Sequence, residues 1–191
     1  MKRTFAMVLA MVLLVVVTVG ATLAWLNDNT ETVENTFTIG KVKLELKESP
    51  ATRNEETGEI TYGTPAEGVQ NTYQMIPNTT YTKDPTVKVL EGSEKCWVFI
   101  TVEKSENLDD YITYTLNSAW TELEEGVYYQ EGITENTELE IITGDTIVVN
   151  DLTNTEMEAL NGGSLKLNFK AYAIQAENLT TPEAAWTALG N

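Results

Sequence analysis

Apolar and polar positions alternate with a period of two along most of this 191-residue chain, and the exception lies at its start. Residues Phe5 to Val19 form an apolar run, and no charge occurs between Arg3 and Asp28. Alternation then begins. Phe37 and Ile39 share one phase, whereas Val42, Leu44 and Leu46 share the other. The phase changes at Gly40, which predicts a bulge or bend returning both sets to one face. Residues 49–72 are polar, with Ile60, Tyr62 and Val69 as their apolar anchors, and predict a surface excursion with a small hairpin turning at Thr57-Gly58.

Downstream, Tyr81 to Leu90 and Cys96 to Val102 read as strands joined by a turn at Glu91-Gly92-Ser93. Val87 and Val89 face one way, and Pro85 stands at a strand start. In the second run Cys96, Val98, Ile100 and Val102 alternate with Trp97 and Phe99, so both faces carry apolar bulk and an interior strand is predicted. Tyr111 to Leu116 reads as a further strand. Hairpins are predicted about Glu124-Glu125-Gly126 and about Thr143-Gly144-Asp145. A short helix over 153–160, capped by Asn154 or Thr155, ends at Asn161-Gly162-Gly163. The last strand, Leu165 to Ile174, sets Leu167, Phe169, Ala171 and Ala173 on one face. A closing helix carries Thr181 as cap, Pro182 in its first turn and Gly190 as its stop.

Short strands at regular spacing predict an all-β fold, an antiparallel jelly-roll-like β-sandwich with one or two short helices. A signal-peptide helix (residues 1–24) and a flexible N-terminal arm (25–39) precede the sandwich domain (36–191). Lys2 and Arg3, the apolar run and the small residues Gly20, Ala21 and Ala24 match a secretory signal. Cleavage is placed between Ala24 and Trp25, with Ala21 as the second choice. A retained membrane anchor is the alternative, since the run is long enough to span a bilayer of about 30 Å. Either way the rest of the chain works outside the cytoplasm.

The chain carries 12 basic and 29 acidic residues, a formal charge of −17. Removal of residues 1–24 takes two basic residues and no acid, leaving −19. Such a surface repels nucleic acid and anionic lipid headgroups, so neither is expected as a partner. Cys96 is the single cysteine, so no intrachain disulfide forms, and its alternating surroundings make it a small core residue. Histidine is absent, which excludes Ser-His-Asp and Cys-His catalysis and the His-dependent zinc motifs. The pairs Asp109-Asp110, Glu124-Glu125 and Glu55-Glu56 lack EF-hand spacing and read as solvated. No catalytic residue, metal or cofactor is therefore expected. Asn78-Thr-Thr80 and Asn178-Leu-Thr180 match glycosylation sites by chance, because the leader is bacterial in character.

Several segments together resemble one family. They are Gly20-Ala-Thr-Leu-Ala-Trp-Leu-Asn-Asp28, Asn35-Thr-Phe-Thr-Ile-Gly-Lys-Val-Lys-Leu-Glu-Leu46, Ile76-Pro77 leading to Thr82-Lys-Asp-Pro-Thr-Val-Lys-Val89, Cys96-Trp-Val-Phe-Ile-Thr-Val102 and Thr180-Thr-Pro-Glu-Ala-Ala-Trp-Thr-Ala-Leu189. The chain so resembles the TasA/camelysin family of exported bacterial proteins over nearly its whole length, except 49–72. The resemblance implies processing by a SipW-type signal peptidase and a role as a jelly-roll subunit of the extracellular biofilm matrix or spore surface. It also implies assembly into fibres with copies of itself, and contact with other matrix proteins. In that mechanism the arm completes the next subunit's sheet, with Trp25, Leu26, Val33, Phe37 and Ile39 as donor-strand anchors. Each buried anchor contributes about 1.5–3 kcal/mol, and ordering the arm costs about 1–2 kcal/mol per residue. Strand pairing and pocket fit therefore decide the balance. The membrane is involved only through the precursor's signal segment.

Two rivals stand beside this reading. One is a monomeric cell-surface module that binds a glycan or protein through exposed aromatics such as Trp25, Trp97, Trp120 and Trp186, although alternation favours core roles for most of these. The other is the camelysin-like endopeptidase that the family label implies. The lack of histidine argues against it, because carboxylates alone prefer calcium or magnesium to zinc.

Overall fold

The computed structural model describes residues 41–160 and 165–190. Every strand pairing among them is antiparallel. One sheet contains β1 (Leu44–Glu48), β4 (Ala66–Glu67), β6 (Thr86–Val89) and β11 (Glu138–Glu140), in the order β11-β6-β1-β4. A second contains β7 (Cys96–Lys104), β9 (Thr121–Glu124), β10 (Val127–Ile133) and β13 (Leu167–Gln175), in the order β13-β7-β10-β9. In the third, β12 (Thr146–Val149) lies between β5 (Thr80–Thr82) and β8 (Ile112–Thr113). A separate hairpin joins β2 (Ala51–Arg53) to β3 (Ile60–Tyr62). The helices are short: α1 (Leu108–Tyr111), α2 (Asn154–Ala159) and α3 (Pro182–Ala188). The fold is all-β, as the alternation predicts.

Period-two patterning explains the packing. The inward side chains of all three sheets, among them Val87, Val89, Val98, Ile100, Ile147 and Val149, meet in one core. Val42, Leu44, Leu46, Phe169, Ala171 and Ala173 pack against it, each on the phase expected of it. β7 is the interior strand, paired along its length with β13 and for much of it with β10. Its other face carries Trp97 and Phe99, which are buried beneath α3 with Val127 and Ala185. Cys96 is fully buried, as expected of a small core residue.

The hairpin at Thr57-Gly58 forms, with Gly58 at φ 74°. So does the hairpin at Gly126, whose φ of 75° only glycine adopts readily. Asn78 and Asn178 also lie in the left-handed region, at φ 57° and 63°. Both therefore have a local role as turn residues, since asparagine tolerates that conformation.

Other expectations need correction. Thr143-Gly144-Asp145 is not a hairpin. It is a 3-10 turn that carries the chain from β11 in the first sheet to β12 in the third. Likewise, residues 81–90 are not one strand, because Lys83-Asp84-Pro85 breaks them into β5 and β6. The two breaks face each other: Lys83 N–H donates to Asp145 O (2.8 Å) and Ile141 N–H to Pro85 O (3.1 Å). Two long partners thus bend together at one corner between sheets. Tyr111 belongs to α1 rather than a strand, because the Asn150 side chain donates to the carbonyls of Asp109 and Asp110 and holds a helical turn. α2 is capped by Thr153 and not by Asn154 or Thr155. Thr153 and Glu156 form a reciprocal capping box. α3 begins as predicted, with Thr181 Oγ1 accepting from Ala184 N–H (3.3 Å). The predicted bulge at Gly40 and the helix stop at 161–163 lie outside the described residues.

Candidate functional site

The longest strand edge left unpaired among the described residues belongs to β13. Its inner neighbour is β7, and no described strand lies on the other side. Lys166 O accepts from Ser105 N–H (3.0 Å), and Ala176 N–H donates to Lys95 O (2.8 Å). Antiparallel ladders alternate, so the N–H and C=O groups of Leu167, Phe169, Ala171 and Ala173 point away from β7. A nine-residue edge of this kind is a template for an added strand.

Beside this edge runs a groove of about 560 Å³ between β13 and the β1–β4 side of the first sheet. Leu46, Pro85, Leu167 and Phe169 line its apolar part. Its charged lining is unlike the rest of the molecule, with Lys47, Lys83, Lys166 and Lys170 against Glu48 and Glu103. A chain with more than twice as many acids as bases here presents a basic excess. A second cavity of about 360 Å³ shares Lys83, Lys166 and Leu167 with the first and reaches Tyr73, Met75 and Tyr81.

The groove floor is polar and tightly paired. Lys83 is only 8% exposed, and its Nζ lies 3.1 Å from both Oε1 and Oε2 of Glu48. Asn71 Nδ2 donates to the same Glu48 Oε1 (2.8 Å). Ser49 Oγ donates to Asp84 Oδ2 (2.6 Å), and Asp84 Oδ1 accepts from Ser49 N–H (2.8 Å). Tyr73 donates its hydroxyl to Thr82 O (2.9 Å); burial, and then the neighbouring Glu48 charge, pushes its pKa well above the usual tyrosine value. The sequence reading missed this cluster, yet a signal was there. Glu48 continues the inward phase Val42-Leu44-Leu46, and Lys83 stands in the inward phase Tyr81-Lys83-Pro85-Val87-Val89. A charge on the core phase of two strands asks for a partner.

The residues marked out in advance, Ala24 and Trp25 for cleavage and Trp25, Leu26, Val33, Phe37 and Ile39 as anchors, all lie outside the described residues. The other three tryptophans have packing roles. Trp97 Nε1 donates to Leu179 O (3.1 Å), Trp120 Nε1 to Glu140 O (2.8 Å), and Trp186 Nε1 to Glu124 Oε1 (3.1 Å). Burial pushes the Cys96 thiol up to about 11, which leaves little thiolate near neutral pH. Among the described residues no helix is long and apolar enough to cross a membrane, and no group of acids is placed to hold a metal ion. No family model, curated protein or solved structure matches the chain.

Proposed function

We propose that this chain is an exported, non-enzymatic structural subunit of the TasA/camelysin type, secreted after signal-peptidase cleavage. It polymerises when the arm released at residues 25–39 of one copy adds to the β13 edge of the next. The single observation that carries this reading is that edge: nine residues long, unpaired among the described residues and flanked by a basic, partly apolar groove. The arm has matching chemistry, since it carries the acids Asp28, Glu31 and Glu34 together with the apolar Val33 and Phe37 in a segment long enough to cover the strand. Added main-chain hydrogen bonds supply affinity, and groove contacts set the register. The sheets then act as the two layers of a jelly-roll-like sandwich that a neighbour completes.

The test is electron microscopy of the processed protein beside two variants. Deletion of Trp25–Ile39 removes the donor. Ala171→Pro removes one outward N–H from the β13 edge while sparing the ladder to β7. Fibres from the processed protein and folded monomers from both variants are the expected outcome. Normal fibres from either variant would end this proposal.

A further inference from the structure

The polar floor beneath the groove holds the three groups of an amide-exchange reaction. Lys83 supplies an amine, Asn71 a carboxamide, and Glu48 a carboxylate that touches both through one oxygen, Oε1, at 3.1 and 2.8 Å. Asn71 is fixed on every polar atom. Its Oδ1 accepts from Ala51 N–H (2.7 Å), and its Nδ2 donates a second time to Ser49 O (2.9 Å). The Phe169 ring lies 5.7 Å from Lys83 Nζ, and Lys83 is almost excluded from water. An ion pair alone needs none of the carboxamide's placement.

We propose that Lys83 and Asn71 become joined by an intramolecular isopeptide bond, with Glu48 carrying the protons. Lys83 Nζ gives a proton to Glu48 and attacks Cγ of Asn71. The charge that develops on Oδ1 is met by the Ala51 N–H already pointed at it. Two of the three protons on Nζ pass to Nδ2, one of them through Glu48, as the Cγ–Nδ2 bond breaks. The nitrogen departs as ammonium, and the Cγ–Nζ amide remains. One amide replaces another, so no oxidant or further reactant enters. The reaction draws on fixed proximity and on a positioned acid–base group. The bond closes a loop from 71 to 83 and fastens the return leg of the surface excursion to the corner where β5 meets β6. In a chain whose one cysteine forbids an internal disulfide, this is a covalent staple of another kind.

Tryptic mapping of the purified protein by tandem mass spectrometry tests the bond directly. No lysine or arginine lies between Asn54 and Lys83, and the next after Lys83 is Lys88. The joined protein gives fragment 54–88, uncut at Lys83, lighter than its sequence by one ammonia and without backbone breaks between 71 and 83. Glu48→Gln, shown to be folded by circular dichroism, gives fragment 54–83 at full mass; if it does not fold, Asn71→Ala serves and gives the same result. Three outcomes overturn the proposal. They are a linear 54–83 at full mass from the unaltered protein, a 54–83 fragment lacking ammonia but cut at Lys83 (a cyclised asparagine), or survival of the link in folded Glu48→Gln.

Discussion

Both sides of β7 and β13 are covered by apolar cores, except at one end of the inner side, where the means is different. Beneath α3 the cover is aromatic. Phe99 lies with ring centroids 5.2 Å from Trp186 and 6.2 Å from Tyr129, and Tyr172 meets Trp186 edge-on at 5.5 Å. At the far end of the other side, where β13 passes the β5–β6 corner, the cover is ionic, with Lys83 set between Glu48 and the Phe169 ring. Aromatic cover tolerates imperfect geometry because burial is non-directional. An ionic cover holds only while each charge keeps its partner. The first should thus fail gradually and the second all at once.

Variants can separate these behaviours. Phe99→Ala, at a fully buried site shared by β7 and α3, is expected to cost about 4 kcal/mol in urea unfolding, the usual range for an aromatic deletion from a core. A loss below about 1 kcal/mol would show that the aromatic face carries little weight. Lys83→Met is expected to cost about 3 kcal/mol, because the largely buried Glu48 loses the nitrogen it is bonded to and Asn71 loses the amine it would be joined to. Adding Glu48→Leu to it should restore part of that loss, and a double variant weaker than the single would contradict the ionic account. Trp186→Ala truncates a half-buried ring and should cost about 2 kcal/mol, with α3 lost from the helical signal before the sheets unfold.

The smallest effect concerns pH. Folded Tyr73 keeps its proton above the ordinary value of 10.0, so its contribution is complete below pH 10.0 and declines as pH rises through and beyond that value. Tyr73→Phe should lose about 1 kcal/mol at pH 7, for the bond to Thr82 O. It should also show a shallower alkaline decline than the parent. An unchanged alkaline profile would place the titrating group elsewhere.

Much of this fold was legible in the residues. The two-sided character of 96–102 marked β7 as interior, and Thr181-Pro182 with Gly190 bounded α3. The sheet-to-sheet bends were scarcely legible, with Pro85 at a strand start as the one sign of the first. Alternation runs unbroken from Tyr81 to Val89, so nothing in periodicity marks the point where β5 leaves one sheet and β6 enters another. The Thr143-Gly144-Asp145 turn misled for a related reason, since glycine in a tight turn serves a crossing as well as a hairpin. At the groove, Glu48 and Lys83 could have been singled out as charges on core phases. Asn71 could not, because it sits in a polar stretch and meets Glu48 only through the return of the excursion.

Cys96 turns the molecule into its own reporter. Its thiol is wholly buried, donates to Ile133 O (3.5 Å) and holds its proton far above neutrality. An alkylating reagent can reach it only when β7 parts from its neighbours. The labelling rate of this one sulfur atom therefore times how often the central sheet breathes, with no engineered dye required.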